Sequence, residues 1–76
     1  MSDTKVIDAR NTFFPGPLME LITHMRLAQV GDVVELLSTD SGSATDIPEW
    51  AKKVGHEMMG IEQQGDTWHL KVRKAK

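Results

Sequence analysis

A chain of 76 residues with 39% hydrophobic and 26% charged side chains has nothing to spare. Folding at this length buries only about 60% of the surface that the unfolded chain exposes, so one domain over residues 1–76 with one core is expected. The absence of cysteine excludes disulfide staples, thiolate metal sites and every cysteine nucleophile. Nine basic against eleven acidic residues, for a net charge of −2, argue against a general nucleic-acid binder. No apolar run approaches roughly 18 residues, and the amino terminus "MSDTKVIDAR" lacks the apolar segment of a signal peptide, so a soluble, cytoplasmic protein without a membrane partner is expected.

In chain order, "KVIDA" (5–9) is a short strand candidate. The turn Pro15-Gly16-Pro17 follows, and then Leu18, Leu21, Ile22 and Met25 recur at helical spacing, predicting an amphipathic helix over 17–29 with Pro17 in its first turn. "DVVELLST" (32–39) is too apolar for simple alternation and predicts a central strand buried on both faces. Ser43 with Asp46 imitates a capping box ahead of Ile47, Trp50, Ala51 and Val54. This predicts a second helix over 44–54, with Pro48 in the first turn and Gly55 as a left-handed terminator. "HEMMGIEQ" and "TWHLKVRK" flank Gln64-Gly65-Asp66 and read as a hairpin. Its second strand turns Trp68, Leu70 and Val72 inward and Thr67, His69, Lys71 and Arg73 outward.

The order β-α-β-α-β-β predicts an α+β fold. The first two strands pair in parallel, the hairpin adds antiparallel pairing, and two helices cover one face of a four-stranded mixed sheet as a two-layer sandwich. The segments "DAR" (8–10), "PGPLMELI" (15–22), "VGDVVEL" (30–36) and "TDSGSATDIPEWAKKVGHE" (39–57), with the closing hairpin, resemble the TusA/SirA family over nearly the whole chain. That resemblance implies the same fold and a place in sulfur relay. Members accept a persulfide from a cysteine desulfurase or another relay protein and pass it on, for example toward tRNA thiolation, on a Cys-Pro-x-Pro motif. Here Pro15-Gly16-Pro17 matches the second part of the motif, and Phe14 stands at the cysteine position.

A thiol just ahead of a helix amino terminus is stabilised as its anion by the helix dipole and free N–H groups; phenylalanine carries no sulfur. Asn11-Thr12 replaces the family's usual Gly-Leu, and Asn is the non-glycine residue that best tolerates positive φ, so the loop shape is expected to survive. Phe13 and Phe14 then either pack onto the first helix and sheet edge or leave Phe14 as an exposed anchor for a protein partner. The candidate partner-binding residues are Arg10, Phe13, Phe14, Pro15, Gly16 and Pro17.

Elsewhere, His24, His56 and His69 lack metal-ligand spacing and are expected at the core edge or in solvent, and no cofactor is implied. Met19, Met25, Met58 and Met59 are expected to fill the core. Asp40, Asp46, Glu49 and Glu57 read as structural carboxylates around the second helix. Lys52 and Lys53 read as a solvated face, and Lys71, Arg73, Lys74 and Lys76 as a basic strand end. Three functions remain open: a relay-docking module that carries no sulfur, a true carrier whose cysteine at position 14 has been replaced, and an RNA-associated module. The last rests on a likeness to the carboxy-terminal domain of a bacterial translation initiation factor.

Overall fold

The computed structural model describes residues 4–13 and 15–76. Six elements follow one another: β1 (Thr4–Asp8), α1 (Gly16–Leu27), β2 (Val33–Ser38), α2 (Ser43–Val54), β3 (Glu57–Gln64) and β4 (Thr67–Arg73). They form one four-stranded sheet in the order β1-β2-β4-β3. β1 runs parallel to β2, with Ile7 opposite Leu36, and β4 runs antiparallel to both β2 and β3.

Both helices pack on the same sheet face. Ile7, Val34, Leu36, Leu70 and Val72 point from the sheet into a core closed by Leu21 and Met25 of α1 and Ile47 and Ala51 of α2. These are the positions that period-2 strands and period-3.6 helices each turn toward a common layer. The other face carries Glu35, His69 and Lys71 in neighbouring register, where Glu35 lies 3.2 Å from His69 and 3.7 Å from Lys71.

Four local expectations are corrected. β2 alternates between half-buried and buried positions, so only its helix-facing side chains are fully enclosed: the layer that would cover Val33 and Leu37 is absent from a two-layer fold. Ser43 makes no capping box, since no side chain caps α2. Its hydroxyl is buried against that of Ser38 at 2.9 Å, and Asp40 instead accepts the Gly42 N–H at 3.0 Å. Because α2 already begins at Ser43, Pro48 falls in its second turn and leaves the Ala44 carbonyl without its usual helical donor. Finally, Met25 is buried and Met58 half-buried, but Met19 and Met59 are exposed. Met19 faces away from the core on α1, and Met59 is the residue left over where β3 shifts register between Met58 and Gly60, as a bulge does.

Gly55 ends α2 as expected, with φ at 88° and its own N–H and that of His56 both returning to the Ala51 carbonyl at 2.9 and 2.8 Å. No helix among the described residues is long and apolar enough to cross a membrane.

Candidate functional site

The motif loop joins the carboxy-terminal end of β1 to the amino-terminal end of α1, and it is built from short-range bonds. Ala9 is buried and extends the parallel pairing by one residue, its N–H donating to the Leu37 carbonyl at 2.9 Å. Beyond it the chain must leave the sheet, and Asn11 does this with φ at 67°, the one non-glycine residue with positive φ among those described. Its N–H donates to the Thr39 hydroxyl at 2.9 Å, which ties the loop to the segment after β2. Asn11 therefore makes the left-handed turn that its side-chain type allows, because the short amide side chain tolerates αL.

Thr12 holds the next step. Its hydroxyl donates to the Ala9 carbonyl at 2.7 Å, and its side chain lies over Gly16, where an added Cβ would come within 3.3 Å of it. Gly16 donates to the Phe13 carbonyl at 2.7 Å, and Met19 donates to Pro15 at 2.9 Å as the first helical bond. Pro17 is buried in the first turn of α1, which holds no acidic residue and has no side-chain cap. The helix's positive end thus has no carboxylate of its own first turn beside it.

Arg10 is exposed and engaged with Asp8. Its Nε and Nη2 donate to the two carboxylate oxygens at 2.9 and 2.7 Å, and its backbone N–H donates to Oδ1 at 3.1 Å. The side-chain bonds from Arg10, followed by the backbone bond, hold the Asp8 carboxyl down at about 2, and the same pairing raises Arg10 above its ordinary value. Asp8, Arg10, Asn11, Thr39, Asp66 and Thr67 line a shallow polar hollow of about 380 Å³ beside the loop. The hydroxyls of Thr12 and Thr39 take part in the loop's own shape, and that of Thr67 donates to Asp66 at 3.2 Å.

The most prominent part of the loop's surface is Phe13, 77% exposed. It does not pack down on helix and sheet, contrary to the reading in which both rings do; the expectation of an exposed anchor at Phe14 lies outside the described residues. Arg10, Phe13 and Pro15 lie in the loop between β1 and α1, while Gly16 and Pro17 open α1, with Pro17 buried. Sequence reasoning missed Thr39 and Thr12 as the two residues that hold the loop. An ST motif cannot announce a bond made across 28 residues, as that of Asn11 to Thr39 is.

The three histidines stand apart, His24 on α1, His56 between α2 and β3, and His69 on β4. His69 borders Glu35 on the open sheet face, His24 lies 3.7 Å from Glu20 along α1, and the His56 ring lies 5.4 Å from Trp50. Among the described residues no group of three or more His, Cys, Asp or Glu side chains is placed to hold a metal ion.

A family model described as sulfurtransferase TusA matches residues 5–74. A putative sulfur carrier protein of Archaeoglobus fulgidus is 51% identical over 71 residues, covering 93% of this chain and 97% of that protein. The putative sulfur carrier protein YrkF of Bacillus subtilis is 36% identical over 74 residues, which span 97% of this chain but 40% of YrkF. The sulfur carrier protein TusA of Pseudomonas putida strain W619 is 30% identical over 69 residues, 91% of this chain and 86% of that one. Among solved structures, a SirA-like protein from Desulfitobacterium hafniense superposes with a TM-score of 0.80 at 19% identity, covering 93% of this chain and 97% of its own; this shows the shared fold.

Proposed function

We propose, for a chain that belongs to the TusA sulfur-carrier family, that it serves as a single-domain docking module of cytoplasmic sulfur relay. It binds relay proteins through the motif loop without carrying the sulfur itself. The observation that carries this reading is a motif loop held in fixed shape by Asn11, Thr12 and Thr39 while Phe13 stands 77% exposed at its tip. A rigid loop that presents an aromatic ring loses little entropy on docking, and such rings dominate interface energetics. The family implies sulfur-relay partners in general. A cysteine desulfurase or a downstream acceptor, such as one serving tRNA thiolation, is the specific class proposed here. With no cysteine in the sequence, a persulfide has no thiol on this chain to occupy.

The test is titration of a purified cysteine desulfurase with the unaltered protein, with Phe13→Ala and with Phe14→Cys, followed by mass spectrometry of the last. Saturable binding that Phe13→Ala weakens about tenfold at unchanged melting temperature supports docking. Persulfide on the introduced cysteine would show that the loop still meets the donor's active site. Loss of binding in step with loss of stability would overturn the anchor role, and no binding to any relay protein would overturn the function.

A further inference from the structure

At the end of the molecule away from the motif loop, the carboxy-terminal halves of α1 and α2 and the chain after β4 enclose a groove of about 280 Å³. Its floor is apolar: Ile22, Met25, Trp50 and Val54. Its rim is cationic, formed by Arg26, Lys74 and Lys76 beside His56, and no aspartate or glutamate side chain is among the residues that line it. Among the described residues none of these three cations forms an ion pair, whereas Arg10, Lys71 and Arg73 each do.

What holds the rim is backbone rather than opposite charge. Lys74 donates its N–H to the Asp32 carbonyl and accepts from Gly31, both at 2.8 Å, while its Nζ donates to the Ala28 carbonyl at 2.6 Å at the end of α1. The Ala75 N–H donates to His56 Nδ1 at 3.1 Å. The Lys76 stem lies over Gly55, within 2.8 Å of where a Cβ would stand. The segment is therefore pinned without a carboxylate partner: Lys74 spends one of its three ammonium donors on the end of α1, and no ion pair engages Arg26 or Lys76 among the described residues. His56 feels that field: burial lowers its pKa first, and Lys74 and Lys76 lower it further.

We infer that this groove binds an acidic polypeptide segment, seating one aliphatic or aromatic side chain on Trp50 and Val54 while Arg26, Lys74 and Lys76 receive flanking carboxylates. Charge complementarity selects an anion, and the apolar floor requires that the anion carry an apolar group. The groove of about 280 Å³ is open to solvent, which suits a segment of polypeptide better than an enclosed small molecule. A nucleic acid would find aliphatic side chains where its phosphates run and too few cations along its track. Binding here is independent of the motif loop, so the protein can hold two partners at once, one at each end.

A displayed library of random dodecapeptides, selected on the intact protein, tests this directly. The expected winners combine Asp or Glu with a central Leu, Ile, Phe or Trp, and bind as synthetic peptides with a Kd that Arg26→Glu or Lys76→Glu weakens about tenfold. Phe13→Ala should leave that Kd unchanged, which separates this site from the docking loop. Both reversed residues are exposed, and an unchanged circular dichroism spectrum would show that the variants fold. Winners without acidic residues, or winners indifferent to the two charge reversals, would overturn the inference. So would displacement of the peptide by an oligouridylate at lower concentration than the peptide itself requires.

Discussion

The two ends of this domain solve the same problem in opposite ways. At the motif end the chain leaves β1 through a left-handed asparagine and is held by threonine hydroxyls and a carboxylate-guanidinium pair, so charge is neutralised locally and the exposed feature is an aromatic ring. At the far end a left-handed glycine closes α2, and the segment after β4 is pinned mainly through its backbone, with Lys74 Nζ and His56 Nδ1 each adding one bond; the ring of Trp50 is half-buried and the exposed feature is charge. Both ends hang on one small core. The difference teaches that a loop fixed by its side chains has few polar groups left to offer a partner. A segment fixed by its backbone keeps its side chains available.

The comparison can be broken at its root. Leu36→Ala, in the layer shared by both ends and fully buried, should cost about 2–5 kcal/mol in urea denaturation and disturb both ends together; a loss confined to one end would mean that they are not coupled through the core. At the far end, Gly55→Ala combines an αL backbone with the Lys76 stem in the way. It should cost about 1–2 kcal/mol, with loss of protection from hydrogen exchange at the Ala75 amide. At the motif end, Asn11→Ala should cost about 1 kcal/mol, and Asn11→Gly should recover most of it because glycine accepts the same φ freely.

Acid should separate the ends by pH. His56 has a folded-state pKa below its ordinary 6.5. Its contribution is therefore complete above that value and declines as pH falls through the lowered one, because protonation at Nδ1 would set an N–H against the Ala75 N–H. His56→Gln should flatten this limb in a melting-temperature profile. Asp8, held at about 2 against an ordinary 3.8, contributes above the higher value and loses its contribution only as pH falls toward the lower one, so its limb should survive that substitution. The smallest effect is expected of Phe13→Ala. An exposed ring should change stability by no more than about 0.5 kcal/mol while partner binding falls, and a larger stability loss would make Phe13 part of the fold.

The fold was legible because its signals are local and periodic. Leu21 and Met25 on α1, Leu70 and Val72 on β4, and the αL positions Asn11 and Gly55 all stand where spacing and side-chain type place them. The motif Pro15-Gly16-Pro17 was legible as a helix start for the same reason. What misled was equally local. Ser43 with Asp46 looks like a cap until the hydroxyl of Ser38, five residues earlier and across a turn, takes the Ser43 hydroxyl into the core. Met59 looks like core until the β3 bulge turns it outward.

By itself, the sequence determined the element order, the common core and the chemistry that a chain without cysteine lacks, because propensity, periodicity and composition act within a few residues. Only the tertiary structure decided that Thr39 would hold Asn11 and that Phe13 would stand clear of the surface. It alone brought Arg26, 48 positions before Lys74, to the same groove. Those facts depend on which strand ends meet and how two helices diverge, and such geometry is settled by packing between segments that carry no record of one another.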